Sequence, residues 1–360
     1  DLTVEAALDS SAIQHQQHDD ALLHEPGSIL TNEGKTYSVF SYFWKKWRDR
    51  EKSPPVTDPD SIASPEASAI PALADLGFEA PAAQLPTATH QDAMDRLDAF
   101  CDDPIYRYDE AREYPAREAT SRLSPYLRFG LIGIRTVWQA TVAADSDAPD
   151  GDAREAVTEF QRQLAWRDFY AHALRSNPSM VCENVRSYDH SIDWRDDPEE
   201  LEAWKAGNTG YPIVDAGMRQ LREEGWMHNR VRMIVASFLT KDLMVNWRAG
   251  YEHFRRYLVD HDPANDAGGW QWAASTGMDA QPYFRIFNPM TQGERYDPDA
   301  DYIATYVPEL DGVVASEIHR WHELDRARQS ELAPAYPAPI VDHAERREAA
   351  LDMFERARGE

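Results

Sequence analysis

From about Gln91 onward, apolar positions recur at three- and four-residue spacing, and Pro and Gly interrupt the pattern at short intervals. Strand-like alternation is almost missing, so this part of the chain reads as a succession of helices. The stretch from Met227 to Trp247 is typical: Val231, Ile234, Val235, Phe238 and Leu239 form one apolar stripe, which places Asn229, Arg232 and Met233 together on the adjoining face. Before Gln91 the pattern differs. Residues 22–47 hold a Pro26-Gly27 turn and then an aromatic-rich helix after Thr36. Residues 51–90 carry Pro54, Pro55, Pro59, Pro65, Pro71, Pro81 and Pro86 among Ser, Ala and Asp, the composition of a connector with little regular structure. The C-terminal AERREAALDMFERAR reads as a solvated charged helix with i,i+4 pairs, and no internal repeat is visible.

A chain of 360 residues is long enough for a large core and suggests two domains, or one with an appendage. It begins at Asp1 without Met and reads as part of something longer. No run of about 18 apolar residues and no leader pattern occurs, so the expectation is a soluble, cytoplasmic monomer with no membrane partner. Cys101 and Cys182 lie far apart with no metal-ligand spacing, which indicates neither zinc nor a disulfide framework. The net charge of −26 argues against nucleic acid as a partner, because phosphate affinity comes from Lys and Arg. Yet the 63 acidic residues are spread along the chain and the 37 basic ones are 31 Arg against 6 Lys, the balance of a halophilic surface that should survive concentrated KCl. A DNA site in such a protein has to be a local Arg cluster.

The short signatures for dinucleotide, nucleotide-phosphate, zinc-protease and serine-hydrolase chemistry are all missing. Four segments carry chemistry instead. Thr120, Ser121 and Ser124 crowd three hydroxyls before an apolar helix, where they and the free helix-start amides suit an anion or a plain N-cap. In EFQRQLAWRDFYAHALR, Gln163, Trp166, Arg167 and Tyr170 fall on one helix face, an amide, a ring, a cation and a phenol that suit a stacked, hydrogen-bonded base; a core helix with a buried Trp has the same pattern. Arg219, Arg222, Arg230 and Arg232 form the local anion-binding candidate, and His228 beside them reads as structural. Asp260, Asp262 and Asp266 miss the calcium-loop spacing, so no metal site is expected; their carboxylates can accept hydrogen bonds from a ring imide or a ribose, and Gly268-Gly269 permits close approach of a flat ligand.

Taken in order, DDALLHEPGSILTNEGKTYSVFSYF, TSRLS, LAWRDFY, GNTGYPIVDAGMRQLREEGWMHNRVRMIVASFLTKDL, GGWQWAASTGMDAQPYFRIFNPMTQGERYDPDADYI and YPAPIVDH resemble the photolyase/cryptochrome family, and most of all the class I photolyases for cyclobutane pyrimidine dimers. The resemblance covers nearly the whole chain. It implies a mainly α protein: residues 1–50 as the end of an N-terminal α/β (Rossmann-like) antenna domain, 51–90 as the connector, and 91–360 as an all-helical domain holding FAD. The family's second antenna chromophore, usually a folate or a deazaflavin, cannot be assigned, because most of that domain is not in this sequence. The family's flavin contacts fall on Tyr108, Thr120, Ser121, Arg122, Leu123, Ser124, Asn229, Arg232, Asp260, His261, Asp262 and Asp266. Its DNA contacts fall on Arg112, Gln163, Trp166, Arg167, Tyr170, Asn229, Arg230 and Gln292, and its electron-hopping tryptophans on Trp270, Trp247 and Trp194. The implied activity is light-driven repair, in which excited, reduced FAD lends an electron to a pyrimidine dimer flipped out of UV-damaged DNA.

Two positions depart from that pattern. Gln163 stands where the dimer photolyases carry Glu, replacing an anionic acceptor by an amide that also donates. Asp266 stands where they carry Asn; plant cryptochromes carry Asp there, and a protonated Asp could deliver a proton to the flavin. Against a photoreceptor reading, Trp166 is present, which plant cryptochromes tend to lack. Against repair of the (6-4) photoproduct, Asn229 and Met233 stand where those enzymes place His. Dimer repair is therefore the expectation, with a cryptochrome-type photoreceptor or a (6-4) or single-strand photolyase as alternatives.

Overall fold

The structure, a computed structural model, describes residues 2–15, 20–56 and 71–360. Part of the expected antenna-domain tail (1 and 16–19) and of the connector (57–70) lies outside the described residues. The helices that carry the architecture are α1 (Leu2–Ser10), α2 (Phe40–Asp49), α3 (His90–Asp102), α4 (Ile134–Asp147), α5 (Gly151–Ser176), α6 (Pro212–Glu224), α7 (Asn229–Ser237), α8 (Trp247–Tyr257), α9 (Pro263–Ala273) and α10 (His343–Ala357). Among the described residues no strand occurs, and extended pairing is limited to two isolated bridges, Leu30 with Thr36 and Arg195 with Val245.

Helix boundaries follow local chemistry. Asp150 caps α5 by accepting from the Ala153 amide at 2.9 Å, and Asp262 caps α9 through the Ala264 and Asn265 amides at 3.0 and 2.8 Å. Pro212 and Pro263 occupy first-turn positions where no amide is missed, and α6 stops at Gly225, whose φ of 62° a glycine tolerates. Past α7 the chain widens into a π-helical turn, Phe238–Asp242, that is wholly buried.

Two apolar cores flank α5. One collects α6 to α9, with Trp204, Met218, Val231, Val235, Trp247 and Trp270. The other holds Phe100, Tyr108, Phe160, Leu164 and Phe169 together with Leu23, Ile29, Phe40, Phe43, Trp44 and Trp47. Residues 20–50, expected as the end of an α/β domain, thus share a core with the helices that follow. The buried Asp168 carboxylate ties the two parts, accepting from the His24 amide at 3.2 Å and Trp47 Nε1 at 2.8 Å; burial pushes its pKa up to about 6 against those bonds. Lys52 closes α2, its ammonium donating to the carbonyls of Trp47, Arg48 and Arg50 at 2.5–2.8 Å. The C-terminal helix differs from its reading as solvated: Ala350, Met353, Phe354 and Ala357, at helical spacing, bury one face of α10.

Two glycines set how closely α8, α9 and α5 approach. A Cβ at Gly250 would lie 2.1 Å from the Trp270 ring, and one at Gly268 would lie 2.2 Å from the Tyr170 ring. Gly268 therefore serves helix packing and not ligand approach; Gly269 faces open space.

Candidate functional site

Between α5, α7 and α9 the fold leaves a pocket of about 380 Å³. α5 presents Gln163, Trp166 and Tyr170 to it, α7 presents Asn229, Arg232, Met233 and Ala236, and α9 presents Asn265, Asp266, Gly269, Trp270 and Trp272; Arg112 and Phe254 complete the wall. The small cleft beside Tyr211 and His319 has only about 10 Å³, at most one water.

On the α5 side, Trp166 lies face to face with Phe40 at a centroid distance of 3.8 Å and an interplanar angle of 8°. Phe40 covers one face of the indole, so a flat ligand can stack only on the other. Gln163 Nε2 donates to the Glu159 carboxylate at 2.9 Å, and the same carboxylate oxygen accepts from Arg112 at 2.8 Å. On α7, the N-cap is His228, whose Nδ1 accepts from the Arg230 amide at 3.2 Å; burial pulls its pKa down to about 3, so it is a neutral, structural ring.

The far wall is ionic. Arg232 grips Asp260 through both carboxylate oxygens at 2.8 and 3.1 Å and stands 4.0 Å from Asp266. His261 Nδ1 lies 2.6 Å from Asp266 Oδ2, which also accepts from the Asp262 amide at 3.1 Å. Burial raises the Asp266 pKa and Asp260 adds to the rise, while His261 and Arg232 oppose it. Trp270 Nε1 is buried with no hydrogen-bond partner among the described residues.

The sequence-derived residues thus separate. Arg112, Gln163, Trp166, Tyr170, Asn229, Arg232, Asp266 and Trp270 come together around one pocket; Asp260, His261 and Asp262 stand directly behind it. Trp247 is fully buried and donates to Asn184 at 2.8 Å, and Trp194 sits half-buried against Phe354 and Met244. Tyr108 is buried against Phe100 and Phe160. Thr120–Ser124 leads into a five-residue helix with no side-chain cap; Ser124 Oγ accepts from Trp226 Nε1 at 3.3 Å, and Arg122, at a φ of 48°, stacks on Trp226 and pairs with Glu224 at 3.0 Å. Arg167 turns away to the Ala21 carbonyl, and Gln292 lies half-buried on the helix Pro289–Tyr296.

The Arg cluster expected around 219–232 is not one site. Arg219 pairs with Glu309 at 2.6 Å, Arg230 with Glu113 and Arg232 with Asp260, while Arg222 is exposed. In so acidic a chain three of the four guanidinium groups find carboxylates of their own. Sequence reasoning missed Phe40, Phe254, Asn265, Trp272 and Glu159. Glu159 was legible as the residue one turn before Gln163; nothing local ties Phe40 to Trp166.

Residues 160–356 match the family model for the FAD binding domain of DNA photolyase, and residues 1–61 match that for DNA photolyase. The chain is 59% identical to the deoxyribodipyrimidine photo-lyase of Halobacterium salinarum, over 100% of this chain and 76% of the relative. Among solved structures it is similar to a bacterial class III photolyase from Agrobacterium tumefaciens (TM-score 0.89, 37% identity, 100% of this chain and 77% of that one). It is also similar to a Synechocystis cryptochrome (TM-score 0.86, 26% identity, 97% and 74%). The helical fold, the pocket and these likenesses define a flavoprotein of the light-dependent DNA repair class. The chain belongs to the photolyase/cryptochrome family.

Proposed function

We propose that this protein is a deoxyribodipyrimidine photo-lyase that uses FAD and light to split cyclobutane pyrimidine dimers in UV-damaged DNA. The observation that carries this reading is the meeting, across one pocket, of the α5 face Gln163, Trp166 and Tyr170 with Asn229, Arg232, Asp266 and Trp270. These residues fit FAD on their own chemistry. Apolar walls from Met233, Ala236, Phe254 and Trp270 suit a flat ring system, polar groups from Asn229, Arg232 and Asp266 suit its hydrogen-bonding edge, and the unpartnered Trp270 Nε1 is a donor waiting beside them. Asp260, His261 and Asp262 would fix that edge from behind, with Tyr108 and the segment Thr120, Ser121, Arg122, Leu123 and Ser124 as further contacts.

FAD bound there would supply the light-driven one-electron chemistry of ring opening, with the electron returned once the ring has split. The chain's own residues do the placement. A dimer that leaves the duplex loses poor stacking at a cost of about a few kcal/mol. Trp166, backed by Phe40, offers its free face to that dimer, and Gln163 and Asn229 meet its polar edge. Arg112, Arg167, Tyr170, Arg230 and Gln292 would complete the DNA contacts. Burial shifts Asp266 toward its protonated form at the pocket wall, with His261 and Arg232 opposing the shift. Trp270, Trp247 and Trp194 would return electrons to the cofactor site. The reading extends to a cytoplasmic monomer; among the described residues no helix is long and apolar enough to cross a membrane.

Asp266 favours a second reading, a photoreceptor without repair. One measurement decides: blue-light-dependent loss of dimers from a defined oligonucleotide, with a dark binding control. Restoration under light is the expected result. Flavin photochemistry without dimer loss would favour the photoreceptor, and no preference for irradiated over intact DNA would overturn both DNA readings.

A further inference from the structure

Gln163 is the position where an anionic acceptor is replaced by an amide, and an amide can turn either a donor or an acceptor to a given side. Here its partners decide which. Gln163 Nε2 lies 2.9 Å from Glu159 Oε1 and 3.3 Å from the Glu159 backbone oxygen. A carboxylate and a carbonyl only accept, so the nitrogen must face them. Gln163 lines the pocket, and with its nitrogen committed to Glu159 the polar atom it has left to offer is its carbonyl oxygen. Turning the amide over would set that oxygen against two acceptors and leave the pocket a donor instead.

The carboxylate that enforces this is itself held. Arg112 donates to Glu159 Oε1 at 2.8 Å, with the Arg112 side chain only 17% exposed, and Arg162 Nε stands 3.2 Å from Oε2. Glu159 lies one helical turn before Gln163, so their side chains are neighbours by helix geometry alone.

We infer that Glu159 is a positioning residue: it clamps the Gln163 amide so that the pocket presents a fixed hydrogen-bond acceptor, which selects a flipped base whose edge donates an N–H, as the imide of a thymine-type dimer does. The chain thereby keeps the acceptor that a carboxylate at 163 would supply, while the negative charge sits one turn away, paired with Arg112. This inference rests on the proposal that the pocket receives a pyrimidine dimer.

The test is dark binding, with no illumination, of the flavin-loaded protein to a duplex with one thymine dimer and to the same duplex intact. Wild type, E159Q, Q163E and the double variant E159Q/Q163E form a cycle. E159Q can donate as well as accept, so Gln163 is free to turn; a fall of about three- to tenfold in the ratio of dimer to intact-duplex affinity is expected. Q163E alone sets two carboxylates one turn apart and is expected to lose preference as well. The double variant restores one fixed acceptor beside one amide and is expected to recover most of the wild-type preference, a rescue that a merely structural role for Glu159 would not produce. Independent, additive losses with no rescue would overturn the inference while leaving the proposed function intact. A wild-type protein with no preference for the dimer would overturn the proposed function, and the inference with it. Were E159Q to fold poorly, Glu159→Asp takes its place: it keeps the charge but draws the carboxylate back from Gln163, so the same loss of dimer preference is expected, and an unchanged preference would overturn the inference.

Discussion

Asp242 meets His343 at 2.5 Å and Asp266 meets His261 at 2.6 Å, two carboxylate–imidazole pairs with nearly the same geometry on two sides of the molecule. Asp242 lies in the π-helical turn, fully buried, closed over by α10 and next to Lys241. The Lys241 ammonium is fully buried too, bonded to Ser275 Oγ at 2.9 Å over the Phe354 ring, and burial drives its pKa well down. Burial pushes Asp242 up to about 6, and His343 pulls it back. Asp266 has the same balance of burial against an imidazole, with Arg232 added, but its other side is a cavity lined by Asn229, Gln163 and Trp270. Buried titratable groups therefore do not mark a site by themselves. What separates the two pairs is the void beside one of them and the polar atoms aimed into it, which make the first pair a brace and the second a wall of the site.

Breaking the closed pair is expected to have the largest effect. Asp242→Ala should cost about 3–5 kcal/mol of stability, because it leaves His343 and a void in a sealed interior. Urea unfolding measures this, and lesion binding per folded molecule should stay as in the wild type; an unchanged stability would show that the pair is no brace. The closed pair should also write a pH slope. The folded-state pKa of about 6 lies above the ordinary 3.8, so the folded chain holds this proton more tightly, and stability should fall as pH rises from about 4 to about 6 and level off above. The contribution is on the order of 2–3 kcal/mol, and Asp242→Asn should remove it.

On the pocket side the effect should move from folding to binding. Trp166→Ala removes a stacking surface, for which about 1–3 kcal/mol, or about 5- to 150-fold in dimer affinity, is expected. Titration of dimer-containing and intact duplexes checks it, and equal loss for both would argue that Trp166 only supports the fold through Phe40. The smallest effect is expected from Asp266→Asn. Its pKa is also raised by burial, so the wild type should lose stability as pH climbs through the window above the ordinary carboxylate value, and the Asn variant should not. At pH 7 the variant should be the more stable of the two, read from urea unfolding between pH 4 and 8; a steeper slope than the wild type would contradict the direction.

Much of the site was legible along the chain because it is built on helices. Gln163, Trp166 and Tyr170 share a face of α5 by spacing alone, and Asn229, Arg232 and Met233 share one of α7, and all six line the pocket. What spacing could not tell is which charges neutralise each other. Arg219, Arg230 and Arg232 looked like one basic cluster in sequence, yet each is taken by Glu309, Glu113 or Asp260 from a different segment. The glycine pair before Trp270 was read as an opening for a ligand; Gly268 instead makes room for Tyr170, a residue nearly a hundred positions earlier. Phe40 gave no local sign of its place against Trp166, because a ring-on-ring stack depends on where two helices land and not on either helix's own pattern.

By itself the sequence determined the helical character, the ends of the helices, the residues that share each face and, through its long matching segments, the family. Periodicity, caps and turns act over a few residues, so they can be read one stretch at a time. Only the tertiary structure decided which faces meet across a void, which carboxylate silences which arginine and which way the Gln163 amide turns. Those outcomes depend on distances between residues far apart in the chain, and hydrogen bonds and ion pairs discriminate at a few tenths of an ångström.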